Sequence, residues 1–271
     1  MQTASENPRG AGPDAPLFQE RAICYIDLLG FSNAVVSGAK SQDQINQLAG
    51  LLLEAESLVT RYEASELTFQ SLSDSIFIST VSDSAENIKN LVTCCQDLFT
   101  FFIERGFLAR GGIASGPCMI SNSIVLGEPV VRAVKLEEQV ADYPRIVINK
   151  RTMDILKDSD AGEFIEANLV RGEDGPYWIN PFVPLFDFAL QSDERFKASR
   201  GETSDAALKE RQQFIDEINH ITDFISKSMY SLQESRRAFS FYYWIFKFYR
   251  SRLTVVSERI GSEIRLPEFT A

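Results

Sequence analysis

Apolar residues follow two rhythms along this chain: short unbroken runs of strand length, and longer stretches in which they recur every three or four positions. Residues 21–28 form the first run, which predicts a buried strand ending at Asp27-Leu28-Leu29-Gly30. Ser41 and Gln44 then make a capping box ahead of Ile45, Leu48, Leu52, Ala55, Val59 and Tyr62, a helix start followed by its buried face. Residues 67–72 and 75–81 read as two short strands bent at Ser73-Asp74. Ser84 caps a second helical pattern carrying Ile88, Leu91, Cys95, Leu98 and Phe102, with Gly106 as its stop. Two more strands, 107–115 and 117–126, are expected around Gly116-Pro117. A helix over 128–141, a strand over 145–148 and a short helix capped by Asn149 follow.

That succession is β-α-β-β-α-β with further αβ additions. It predicts an α+β fold of ferredoxin-like plan, an antiparallel-rich sheet with helices on one face. Residues 163–170 and 176–180 read as a closing hairpin around Gly172-Glu173-Asp174-Gly175. Beyond Ser192 the composition turns charged and helix-favouring, and residues 205–260 predict two helices packed as an antiparallel pair. The expected organisation is a flexible tail over 1–17, one domain over 18–190 and a helical C-terminal extension over 191–271.

At 271 residues, with 44 % apolar and 11 % aromatic content, the chain has ample material for a packed core. Its formal charge of −11 argues against nucleic-acid polymers as partners, because neutralising phosphates takes clustered Lys and Arg. A small nucleotide that brings its own metal ions is not excluded. Cys24, Cys94, Cys95 and Cys118 lack zinc-type spacing, so buried free thiols in a reducing cytoplasm are expected. No signal-peptide pattern opens the sequence. From Phe239 to Tyr249 only Ser240, Ile245 and Lys247 are not aromatic. A membrane span takes about 20 apolar residues, so this run reads instead as a helix face docking on the core or on a second subunit. His220, the only histidine, lies in the extension, which leaves His-dependent triads without support; no Walker-type glycine loop is present either.

The candidate chemistry lies in two aspartates, Asp27 and Asp74, each at a bend after a hydrophobic strand. An acid at the end of a buried strand forfeits hydration unless it holds something positive in place. Two such acids brought together repel unless a divalent cation sits between them, the arrangement that metal-assisted phosphoryl chemistry requires. Either one alone could equally cap a turn.

Four segments, in order, resemble the class III nucleotidyl cyclases. Tyr25-Ile26-Asp27-Leu28-Leu29-Gly30-Phe31 is similar to that family's first metal-binding strand, and Leu72-Ser73-Asp74-Ser75 to its hairpin carrying the second metal aspartate. Arg110-Gly111-Gly112-Ile113-Ala114-Ser115-Gly116-Pro117 is similar to the strand whose Arg meets the triphosphate, and Gly127 through Glu137 to the helix carrying the transition-state residues. The resemblance covers roughly residues 20–150. It implies that Asp27, the Leu28 carbonyl and Asp74 hold two Mn²⁺ or Mg²⁺ ions per active site. It implies a phosphate cradle at Leu29, Gly30, Phe31 and Ser32, with Arg110 on the triphosphate and a head-to-tail homodimer.

This chain also departs from the family. The purine-selecting lysine falls at Gln70 and the base-selecting acid near Ile124. The transition-state Asn falls at Val131 and the Arg at Lys135, with Arg132 close enough to substitute. Members lacking the purine-reading pair include the pyrimidine cyclases of bacterial Pycsar antiphage systems, and the resemblance to these implies UTP, or CTP, as substrate and a second messenger as product. Gln70 both donates and accepts hydrogen bonds, as a uracil or cytosine edge requires. The alternatives are an adenylate or guanylate cyclase with an unusual pocket, or a catalytically impaired nucleotide-binding module. A metal-dependent phosphotransferase related to polymerase palms is a weaker alternative. No membrane partner is expected, and a cytoplasmic location is.

Overall fold

The computed structural model describes residues 18–39, 41–62, 66–121, 124–198, 205–232, 234–261 and 263–267. The expected tail over 1–17 lies outside these. The chain opens with β1 (Gln19–Leu29), α1 (Phe31–Gly38) and α2 (Gln42–Thr60), then β2 (Thr68–Leu72), β3 (Ser75–Ser79) and α3 (Ala85–Glu104). β4 (Leu108–Ile120), β5 (Val125–Gly127), α4 (Glu128–Gln139), β6 (Ile146–Ile148) and α5 (Lys150–Lys157) follow. After α6 (Gly162–Asn168), β7 (Leu169–Arg171) and β8 (Tyr177–Ile179) come three longer helices, α7 (Val183–Ala198), α8 (Asp205–Ser231) and α9 (Arg236–Ile260).

The caps act as their sequences dictate. Ser41 accepts from the Gln44 amide, Ser84 from that of Asn87 and Asn149 from that of Thr152. Gly106 takes φ +88° just past α3, where a side chain would be strained.

The sheet runs β2-β3-β1-β4-β6-β8-β7, with β5 pairing on β4. Its first four strands pair antiparallel throughout, in the order a ferredoxin-like β-α-β-β-α-β unit produces. Strand alternation splits β1 between two faces. Ala22, Cys24, Ile26 and Leu28 join the main core under α3, whose Ile88, Leu91, Cys95, Leu98 and Phe102 are buried. Tyr25 and Asp27 point the other way.

α4 crosses that second face, packed on β4 and β1, so this sheet carries helices on both sides. Gly112 admits it: a Cβ there would lie 2.6 Å from Leu136 Cβ and still closer to the Ala133 carbonyl.

Residues 107–115 and 117–126 do not form two strands hinged at Gly116-Pro117. β4 runs through, pairing Gly116 with Arg21 and Pro117 with Glu20. On its other edge β6 covers only Gly111–Ile113 and β5 begins at Cys118, so no ladder partner misses the proline N–H. Residues 162–168 are helix rather than strand, because Phe164-Ile165 is too short a run to distinguish the two periods. α1 begins at the Gly30-Phe31-Ser32 turn, and the first half of α7 precedes the helical extension expected from residue 191. The expected boundary at 190/191 falls inside α7, and one apolar core runs from the sheet through α7, α8 and α9. α8 and α9 are the two long helices expected over 205–260, and they pack against each other. All four cysteines are buried and unpaired. No helix among the described residues is long and apolar enough to cross a membrane.

Candidate functional site

Asp27 lies opposite Arg110 in the β1–β4 ladder and opposite Ser75 in the β1–β3 ladder. One residue on, the Leu28 N–H donates to the Asp74 carbonyl at 3.1 Å, so the two aspartates sit at the same end of adjacent strands. An extended residue sends its N–H and C=O to the same side. The Leu28 carbonyl therefore also leaves toward the hairpin turn. Ser73, at the first position of that two-residue turn, takes a left-handed φ of 59°. Local strain at a non-glycine residue aims the Asp74 segment.

Electrostatics tie the acids together. Burial pushes the Asp27 carboxyl above the usual carboxylate range; Arg110 opposes the shift, and the negative charge of Asp74 adds to it. The Arg110 guanidinium approaches Asp27 at 3.7 Å and closes tightly on Glu137 from α4. Arg110 is 14 % exposed and Glu137 5 %, so this ion pair is buried between sheet and helix. Glu137 is likewise pushed up by burial, against the pull of Arg110. Tyr25 stands among the same charges: its hydroxyl bonds Ser75 at 3.0 Å, and burial raises its pKa, with Asp27, Glu137 and Asp74 adding to the rise.

Gly30 enters α1 in the left-handed conformation, φ +85°, with no side chain capping the helix. The first amides of α1 are left for an anion, and the positive end of the helix dipole lies beside Asp74. Ser32 donates its hydroxyl to the Asp74 carboxylate. Leu29 is half-buried against the core. The Phe31 ring is buried against Phe107, 5.6 Å between centroids, so of this residue only the backbone faces the cradle. The reason is positional, since the first residue of α1 turns toward the core while the second faces solvent.

Gln70 shares the Asp27 face through Phe77, its partner across β2–β3, which in turn pairs with Tyr25. The Tyr25 and Phe77 rings are 5.0 Å apart and fill the space between Gln70 and the acids. The Gln70 amide donates to the Ser121 carbonyl at 2.7 Å. Arg132 and Lys135 are not drawn in. Both are on the exposed side of α4, whose buried positions are Pro129, Ala133 and Glu137, and Arg132 pairs with Glu128. Val131 is 55 % exposed.

Glu137, Tyr25, Ser75 and Phe77 were missed by sequence reasoning. So was Phe241 of α9, whose ring lies 5.9 Å from the Arg110 guanidinium carbon. Strand alternation from Asp27 could have flagged Tyr25, but nothing local marks the others.

Among the described residues no group of three His, Cys, Asp or Glu side chains forms a ready metal cage. The donors available are two mutually repelling carboxylates and a carbonyl, all hard oxygens, a set that fits Mg²⁺ or Mn²⁺ and not zinc. No protein-family model matches the chain, and no curated protein matches it in sequence. Among solved structures it is similar to the monomeric guanylyl cyclase domain of the RhoGC fusion protein from the fungus Blastocladiella emersonii. That match has 19 % identity over 61 % of this chain and 98 % of that one, at a TM-score of 0.45. The adenylyl cyclase CyaB from P. aeruginosa matches at 16 %, covering 61 % and 96 %, with a TM-score of 0.47. A rhodopsin-guanylyl cyclase catalytic core in complex with ATPalphaS matches at 19 %, covering 60 % and 96 %, with a TM-score of 0.44.

Proposed function

We propose that this chain is a nucleotide cyclase that converts a pyrimidine nucleoside triphosphate, UTP by preference, to its 3′,5′-cyclic monophosphate and pyrophosphate. The observation that carries the reading is the juxtaposition of Asp27 and Asp74, bridged by the Leu28–Asp74 backbone bond, beside the uncapped start of α1. In the reaction the ribose 3′-oxygen bonds to the α-phosphorus as the bond from that phosphorus to the pyrophosphate oxygen breaks. The 3′-proton leaves to solvent or a carboxylate. Asp27, Asp74 and the Leu28 carbonyl would hold divalent Mn²⁺ or Mg²⁺, which supplies charge neutralisation on the triphosphate. The amides of Phe31 and Ser32 cradle phosphate oxygens, and Gly30 keeps the approach open.

Arg110 steadies Asp27 in its ionised form from 3.7 Å; direct contact with the triphosphate requires its release from Glu137. Gln70, with Phe77 and Tyr25 beside it, is the group for the pyrimidine edge, on exchanging the Ser121 carbonyl for the base. Arg132 and Lys135 are exposed on α4, and Arg132 pairs with Glu128. A transition-state role for them therefore belongs to a homodimer, in which each subunit's α4 serves its partner's site. A diffusible second messenger in antiphage defence is the biological extension of this reading.

One observation favours a second reading. Val131 carries no polar group where a transition-state amide is expected, which suits a module that binds nucleotide without turning it over. Turnover of the full-length protein with Mn²⁺ and UTP, CTP, ATP or GTP, each alone, separates the two by pyrophosphate and cyclic product. UTP is expected to yield cyclic UMP, and Asp27→Asn and Asp74→Asn each to lose roughly a hundredfold or more. Binding without product supports the second reading. Full turnover in both variants removes the Asp27–Asp74 site from consideration.

A further inference from the structure

Three strand spacings from β1, about 14 Å across the sheet, the β7–β8 hairpin and the middle of α9 enclose a cleft of about 630 Å³. Its floor is Arg145, 3 % exposed. The Arg145 guanidinium bonds both oxygens of Asp174, 3.2 Å from Nη1 to Oδ1, and the Val140 carbonyl at 2.9 Å. That pairing fixes the hairpin loop and holds the Asp174 carboxyl below the usual carboxylate range. The walls are aromatic. Tyr143 and Trp244 stack with centroids 5.5 Å apart and planes 6° from parallel, while Trp178 meets Phe248 edge-on at 4.5 Å.

At the rim stand Arg171, Lys247 and Arg252. Among the described residues, none of the three makes an ion pair with a carboxylate. Lys247 and Arg252 rest on aromatic faces instead, those of Tyr243 and Phe248. Asp174 is occupied by Arg145, so among the described lining residues Glu173 is the one acid left to balance them. The surplus is concentrated on one element of an acidic protein. α9 carries Arg236, Arg237, Lys247, Arg250, Arg252 and Arg259 against the single acid Glu258, in a chain of net charge −11. Cations gathered without counter-ions repel one another, and an anion among them relieves that repulsion.

We propose that this cleft is a second ligand site, separate from Asp27 and Asp74, and that it takes a nucleoside phosphate. Tyr143 remains 37 % exposed beside its stack with Trp244, which offers a flat aromatic edge to a base. Arg171, Lys247 and Arg252 supply the donors for phosphate oxygens. The volume is that of a small-molecule pocket, not of a polymer groove.

The chain has two tryptophans, Trp178 and Trp244, and both line this cleft, so tryptophan emission reports directly on its occupancy. The experiment uses the full-length Asp27→Asn/Asp74→Asn protein without divalent ions, excited beyond the absorption of the bases. UMP, AMP, uridine and pyrophosphate are titrated separately. Saturable quenching by a nucleoside monophosphate is expected, weakened about tenfold or more by Lys247→Glu and by Arg252→Glu. Both side chains are exposed, so these variants retain the fold. Uridine is expected to bind far more weakly than UMP. No saturable quenching, quenching unchanged by both charge reversals, or pyrophosphate binding as tightly as UMP would each overturn the proposal. Because the catalytic aspartates are removed, failure here says nothing against the cyclase reading, and the reverse holds as well.

Discussion

Replacing Gly112 by alanine tests whether the seating of α4 on the sheet organises the site. The added Cβ would lie 2.6 Å from Leu136 Cβ and nearer still to the Ala133 carbonyl, which is backbone and cannot swing aside. Ordinary carbon contacts begin near 3.5 Å, so α4 must retreat by about 1 Å. Overpacking of this kind costs about 1–3 kcal/mol, and the upper end is expected because the obstruction is helix backbone. The retreat carries Glu137 off Arg110 and loosens the guanidinium beside Asp27. A misplacement of about 1 Å at a reacting centre costs on the order of a hundredfold in rate. Equilibrium urea unfolding reads the first effect, and pyrophosphate release from UTP with Mn²⁺ the second. Gly50→Ala is the control: its Cβ meets nothing within 4 Å inside α2, and a gain of up to about 1 kcal/mol is expected. If Gly112→Ala unfolds within about 0.5 kcal/mol of the parent and keeps its turnover, α4 does not hold the site together as argued.

Two further outcomes follow from the same geometry. Asp27 and Glu137 both bind their protons more tightly in the folded state than in the unfolded one, chiefly through burial. The stability they contribute is therefore greatest in the ordinary carboxylate range near pH 4 and is lost as pH rises through their elevated folded values. Urea midpoints should climb as pH falls from neutrality toward that range, less steeply in Asp27→Asn, while turnover moves the opposite way as Asp27 is neutralised. A stability profile with the same slope in both proteins would contradict this. Gln70→Ala should raise KM for UTP roughly tenfold, the worth of about one hydrogen bond, with kcat little changed. Equal effects on UTP and ATP would show that Gln70 does not read the base.

What the sequence determined was local. Ser41, Ser84 and Asn149 cap helices through amides three residues away, and strand alternation around Asp27 follows from a chain that points successive side chains to opposite faces. The two aspartates at their bends, and the β-α-β-β-α-β order that brings β1 beside β3, were therefore legible. The tertiary structure alone decided what surrounds them. The register setting Arg110 opposite Asp27 depends on pairing between segments more than eighty residues apart. Glu137 reaches the site because Gly112 lets α4 descend on the second face, and Phe31 is drawn into the core by Phe107. The aromatic run of α9 illustrates the division. Its composition announced a docking face, but only packing showed Phe241 beside Arg110 and, one helical turn on, Trp244 in a basic cleft. Caps and periods are written into neighbouring residues. Register, crossing and burial are settled by contacts between distant segments, which leave no mark in either segment alone.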